Sequence, residues 1–219
     1  MSTENRRDRE REARRQGILD AAEAHISQYG LAATKMSDVA QAAELSKGAL
    51  YLYFQNKSAL CAALAERSLG CLVPKIQENM DSVDTGLEQV ALLLRTNAEF
   101  MLTHPSHARL AMSWLLEGSK PGDVDSPSFR AYRARIAEMT GLAHRSFEAG
   151  QRDGSVRGEL NAMSTCLQLW GALLGNLVLV ASQEEVARRM PVPLSLADGI
   201  PQLIDVLLAG IAAGPRAST

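Results

Sequence analysis

The sequence predicts an all-α chain. Apolar residues recur at helical spacing along most of its length, and capping residues or prolines stand where such runs begin. No stretch alternates apolar and polar residues as a half-buried strand would, and no internal repeat or low-complexity segment interrupts the pattern. At 219 residues there is room for one large or two small domains whose core needs no metal or disulfide staple.

The elements follow in order. Ile18, Ala22, Ile26 and Tyr29 share one face of a first helix, which Gly30 ends. Ser37 opens a short second helix carrying Val39, Ala40 and Ala43. A third begins after Ser46, whose hydroxyl can cap the free amides of its first turn. Asn56 caps a fourth, which runs through Leu60, Leu64 and Leu69 toward Pro74. Longer units come next: Thr85 to Thr103, then a Pro-led helix from Pro105 to Gly118. SKPGDVDSP, Ser119 to Pro127, has the composition of a loop. Ser126-Pro127 places a cap before a proline at the first helical position, opening a helix to about Arg152. Asn161 to Ser182 is a long apolar helix, and a last one spans Leu196 to Ala213.

Composition excludes more than it selects. Against 25 acidic residues stand 23 basic ones, so global charge makes no case for nucleic acid. Cys61, Cys71 and Cys166 form no CxxC and leave an odd thiol, as suits a reducing cytoplasm. MSTENRRDREREARR has no apolar core of the signal-peptide kind. The apolar run from Cys166 to Ala181 contains Gln168 and Asn176, falls short of a membrane span and reads as a buried helix. A cytoplasmic location is expected. No GxSxG, HExxH, phosphate-binding loop or GxGxxG occurs, so neither an enzyme nor a cofactor is expected. His104 and His107 have a spacing that can bind metal, but no acidic or cysteine partner accompanies them, and they read as surface residues at a helix start.

AELSKGALYLYFQNKSAL, residues 43–60, is the unusual segment, with Tyr51, Tyr53 and Phe54 crowded together. Two short helices joined by Glu44-Leu45-Ser46 would bury Val39, Ala40, Ala43, Leu45, Leu50 and Phe54. Lys47, Gly48, Ala49, Tyr51, Leu52 and Tyr53 then remain on the outer face. A helix-turn-helix gives that face a purpose, because its second helix enters the major groove by its N-terminal residues. Gly48 and Ala49 permit close approach, tyrosine hydroxyls reach phosphates, and rings pack on thymine methyls. Lys57, in the first turn of the next helix, lies where a phosphate meets an ammonium and free amides. The alternative is an ordinary helical hairpin with half-buried tyrosines.

Residues 14–65 also resemble the DNA-binding domain of tetracycline-repressor-like (TetR) transcriptional regulators. The matching positions are Gly30, Thr34, Val39-Ala40, SKGALYLYF from Ser46 to Phe54, and Lys57. The resemblance implies a three-helix helix-turn-helix domain at 14–72, after a charged arm at 1–13. It implies that Thr34, Tyr53 and Lys57 contact phosphates, while Ser37, Lys47, Gly48, Ala49, Tyr51 and Leu52 approach base edges or methyls. Three positions depart from the pattern. Glu44 replaces the usual turn glycine, His25-Ile26 replaces Leu-Phe, and Leu52 stands where a polar reader is frequent. The N-terminal arginines suit either a minor-groove arm or a solvated helical lead-in.

Residues 73–219 are expected to form a helical ligand-binding and dimerisation domain, as the resemblance implies. The helix holding Met163, Leu167, Trp170, Leu173, Leu174, Leu177 and Val178 is apolar on more than one face, so it is buried on both sides. Leu167, Gly171, Leu174, Gly175, Val178, Leu203 and Leu207 are the expected dimer contacts, with packing inside one chain as the alternative. Phe100, Met101, Met112, Trp114, Leu115, Phe129 and Trp170 are candidates to line an apolar ligand pocket. The function expected is a homodimeric repressor released from a palindromic operator by a small-molecule effector. The competing reading is a helical protein-interaction module, or a ligand-binding protein without a specific DNA target.

Overall fold

The computed structural model describes residues 3–117, 125–189 and 195–214. Ten helices make up the described chain: α1 (Thr3–Tyr29), α2 (Met36–Ala42), α3 (Lys47–Tyr51), α4 (Lys57–Met80), α5 (Gly86–Thr103), α6 (Pro105–Glu117), α7 (Pro127–Asp153), α8 (Ala162–Ala181), α9 (Gln183–Arg189) and α10 (Gly199–Ile211). Among the described residues there is no strand, only an isolated antiparallel bridge between Val156 and Ala212. Most of the expected loop at 119–127 lies outside the described residues.

Two compact units divide the chain. The first holds the described residues up to Arg67 and those between Arg109 and Arg133; the second holds Ser68–Ala108 and the residues from Ala134 onward. The described residues between Arg109 and Arg133, expected among the C-terminal helices, group with the N-terminal unit, and Leu110 is buried in its core.

In the first unit, α1 is longer than the apolar periodicity alone predicts. Residues 6–14 are all exposed; Arg6 and Glu10 pair at 2.7 Å, and Gln16 donates to Glu12 at 2.6 Å, contacts one turn apart that each add a few tenths of a kcal/mol. Residues 3–13 are helical and continuous with the rest of α1. From Ile18 onward one face turns inward. Ile18, Leu19, Ala22 and Ile26 meet Val39 and Ala40 of α2, Leu50 and Phe54, and Leu60, Cys61 and Leu64 of α4 in one buried cluster.

In the second unit, Leu72, Val73 and Ile76 of α4 pack with Leu93 of α5 and Leu142 of α7. This packing explains why α4 does not end at Pro74. Proline removes one backbone bond, at a cost of about 3 kcal/mol in a helix interior, yet fully buried Val73 and Ile76 flank it and hold the helix to Met80. Thr85 caps α5, its Oγ1 accepting from Glu88 N at 3.2 Å while Glu88 Oε2 accepts from Thr85 N at 2.9 Å. The start of α5 crosses α7 so closely that a Cβ on Gly86 would sit 1.9 Å from Gly150 N, so both glycines are required there. Helix α8 packs against α5 and α10 through buried Leu169, Leu173, Leu174 and Leu177. At 20 residues α8 is longer than the run from Cys166 suggests, and by length and composition it could cross a membrane. Helix α9, not foreseen from the sequence, is a single amphiphilic turn pair held by Glu185 to Arg188 and Arg189.

Candidate nucleic-acid interface

The turn between α2 and α3 is built by three backbone bonds: Ala43 N to Val39 O at 2.9 Å, Glu44 N to Gln41 O at 3.1 Å and Leu45 N to Ala40 O at 2.8 Å. Closing it puts Glu44 at φ 55, the left-handed region that favours glycine. Ser46 then leaves in extended conformation, and its Oγ accepts from Ala49 N at 3.2 Å, which starts α3. Asp38 closes the other end of the motif. Its carboxylate accepts from Lys35 N at 3.1 Å, and that N–H is the main force holding the carboxyl below its ordinary value.

Helix α3 has only five residues, so its two faces are sharply different. Leu50 and, just beyond it, Phe54 are fully buried, and the Arg15 guanidinium lies 5.7 Å from the Phe54 ring centroid. Lys47 and Gly48 are exposed, Ala49 half so, while Tyr51 keeps 41 % and Leu52 77 % of its surface free. Lys47 Nζ lies 6.0 Å from the Tyr51 ring centroid, one turn along. Nothing lies within 4 Å of a Cβ built on Gly48. A basic, aromatic and small-residue surface therefore faces away from the unit's own core.

The remaining expected DNA contacts divide. Ser37 is exposed and donates to Asp38 Oδ1 at 3.1 Å. Tyr53 is half-buried against the core, and Lys57 is half-buried with Nζ donating to Leu31 O at 2.5 Å. Thr34 is buried, with 3 % of its surface free. Its hydroxyl donates to Gly30 O at 2.7 Å and accepts from His25 Nδ1 at 3.2 Å, so it braces the α1–α2 turn. His25, which also packs 4.6 Å from the Tyr29 ring, therefore replaces an apolar contact with a polar one. Lys35, not singled out from the sequence, is exposed at the N-terminal edge of α2. The expected pocket residues are split: Phe100, Met101 and Trp170 belong to the second unit, Met112, Trp114, Leu115 and Phe129 to the first, and the Trp114 side chain lies outside the described residues. A shallow cleft is described elsewhere, between α1 and α2, with His25, Gln28, Tyr29, Asp38 and Gln41 among its lining.

Helices α8 and α10 present a second unpartnered surface. Met163, Leu167, Gly171, Gly175 and Leu179 recur every fourth residue of α8, and Leu167 is 54 % exposed. Val206 of α10 is 63 % exposed, beside half-buried Leu203 and Leu207. Leu174 does not join this face: it points into the chain's own core. Val178 is half-buried. Among the described residues, no group of three or more His, Cys, Asp or Glu is arranged to hold a metal ion. His104 stacks on Phe100, His107 lies tilted with its ring centroid 5.2 Å from that of Phe100, and His107 Nδ1 lies 2.8 Å from Ser68 Oγ. Cys61 is buried, Cys71 exposed, and burial pushes the Cys166 thiol up to about 11, far from a reactive thiolate.

Residues 18–64 match the family profile described as bacterial regulatory proteins, tetR family. The fatty acid metabolism regulator protein of Bacillus subtilis is 30% identical over 77 residues, a stretch that covers 35% of this chain and 40% of that protein. The HTH-type transcriptional repressor KstR2 of Mycolicibacterium smegmatis is 26% identical over 149 residues, 68% of this chain and 70% of that one. In fold, the chain resembles FadR from Bacillus subtilis, solved in complex with stearoyl-CoA, with a TM-score of 0.70 at 17% identity over 90% of this chain and 98% of that one. The motif from Gly30 to Lys57 and the family profile coincide: residues 18–64 are a TetR-family DNA-binding domain, in a chain similar over about two thirds of its length to a transcriptional repressor of this kind.

Proposed function

We propose that the chain is a cytoplasmic homodimeric repressor that leaves a palindromic operator when a small molecule binds its helical C-terminal domain. The observation that carries the reading is the outward face of α3, where Lys47, Gly48, Tyr51 and Leu52 have no use in the unit's own core. Within a DNA-binding module at 14–72, Ser37, Lys47, Gly48, Ala49, Tyr51 and Leu52 meet base edges and methyls. Tyr53 and Lys57 meet phosphates, with Lys57 exchanging its Leu31 carbonyl for a phosphate oxygen. Thr34 acts indirectly, by bracing the turn.

A five-residue helix cannot specify a site by itself, so two copies must read two half-sites about 34–36 Å apart. The stripe on α8 with Leu203, Val206 and Leu207 of α10 offers the self-complementary surface for that dimer. Release needs only an effector that prefers the wrongly spaced state; couplings of about 1–3 kcal/mol weaken operator binding roughly 5–150-fold. The Bacillus subtilis FadR structure holds stearoyl-CoA, which makes long-chain acyl thioesters the first effectors to test here.

The test is a binding selection of genomic fragments by the full-length protein at two salt concentrations. Enrichment of a palindrome whose affinity drops steeply with salt is the expected result. Enrichment of no sequence, or binding indifferent to salt, favours the protein-interaction alternative.

A further inference from the structure

Arg67 is the last residue of the first segment of the N-terminal unit, on a helix that continues to Met80. Its guanidinium Nη1 donates to Asp20 Oδ1 at 2.6 Å and to Gln16 Oε1 at 3.4 Å, and Nη2 donates to Glu23 Oε2 at 2.5 Å. Gln16, Asp20 and Glu23 stand four and three residues apart, on one face of α1 over successive turns. The Arg67 and Glu23 side chains keep only 22 % and 26 % of their surface free, so this pair is covered on both sides, while Asp20 closes the cluster from the solvent side.

Apolar packing of Leu60, Cys61 and Leu64 against α1 attracts without direction, so it leaves rotation and sliding of α4 weakly opposed. A planar fork held by two carboxylates and an amide is directional and opposes both motions. We propose that Arg67 is a positioning residue for operator recognition: by gripping about two turns of α1, it fixes the register of α1, and with it α3, against α4. In a dimer that register sets the separation of the two recognition helices. The inference rests on the reading of the chain as a dimer on a two-half-site operator.

The experiment measures the affinity of full-length protein for four duplexes: the selected palindrome, the same half-sites one base pair closer, one base pair farther, and a single half-site. One base pair moves a half-site by about a tenth of a helical turn, so wild type is expected to lose about tenfold or more on either altered spacing. Arg67→Gln is expected to flatten this profile to within about threefold while leaving single half-site affinity unchanged, a change that general destabilisation does not produce. Arg67→Lys keeps the charge but not the fork and flattens it as well. Lys75→Gln, which breaks the exposed pair with Glu99 farther along α4, leaves the profile sharp. If Arg67→Gln is unfolded by circular dichroism, the Asp20→Asn/Glu23→Gln variant takes its place with the same expectation. A variant profile that superimposes on wild type overturns the proposal. Sharp spacing preference in wild type beside that result leaves the operator reading standing, whereas a wild type that binds none of the duplexes removes both.

Discussion

Leu50 and Tyr51 are adjacent in α3 and meet opposite surroundings: Leu50 is sealed in the core, while Tyr51 has an exposed ring with the Lys47 ammonium 6.0 Å from its centroid. In a helix this short, one residue of rotation decides which face a side chain joins. The core therefore orients the recognition surface, and changes on the two faces should separate stability from DNA binding.

Gly48 gives the cleanest separation. Open space surrounds the position a Cβ would take, and alanine favours a helix over glycine by about 1 kcal/mol. Gly48→Ala should raise the denaturant midpoint while weakening operator affinity, because the added methyl stands between the backbone and the bases. Denaturation and DNA titration of the same preparation check both signs.

Glu44 pairs a left-handed backbone with an exposed carboxylate near the start of α3. Glu44→Gly should stabilise the fold by about 1 kcal/mol through relief of that backbone conformation. Glu44→Gln keeps the conformation and removes only the charge, so stability should stay level while DNA binding tightens about two- to fivefold at low salt. Comparing the two variants by thermal melts and by titration at two ionic strengths distinguishes strain from repulsion.

Thr34 is predicted to act through the fold. Thr34→Val removes the hydroxyl that joins Gly30 O to His25 Nδ1 and should cost about 1–3 kcal/mol of stability. Thr34→Ser keeps the donor and should retain most of it. Equilibrium unfolding in urea measures the difference.

The cap of α5 sets an acid limit. Glu88 has its carboxyl lowered from the ordinary value of 4.5, chiefly by the Thr85 backbone N–H and then by the Thr85 hydroxyl. Because the folded value is the lower one, its stabilisation is complete above about pH 4.5 and is lost as pH falls through the folded value. Glu88→Gln should therefore unfold at a less pH-dependent midpoint below pH 4.5, as acid titrations of both proteins followed by helicity will register.

Local signals carried the reading of the fold furthest. Ser46, Thr85 and Asn161 each accept a backbone N–H at the helix start where their residue type leads one to look, because capping depends on neighbours two or three residues away. Pro74 is the reverse case: its local chemistry says stop, and buried Val73 and Ile76 keep the helix going. Leu174 looks like its neighbours in sequence, yet its rotational position on α8 turns it inward while Leu167 faces out. The Thr34 contact with His25 and the grip of Arg67 on α1 were not legible at all, since one depends on how the turn after α1 folds back and the other on where two helices cross. A polar residue does not announce in sequence whether its partner is a phosphate or its own chain.

The most direct test of the account is the affinity of a Lys47→Ala/Tyr51→Ala variant for the selected palindrome, measured beside wild type with helicity and melting temperature recorded on both. Two exposed contacts are removed and no core residue is touched, so the fold should be unchanged while affinity falls on the order of a hundredfold. Equal affinity in a folded variant would contradict the claim that this face of α3 meets the duplex.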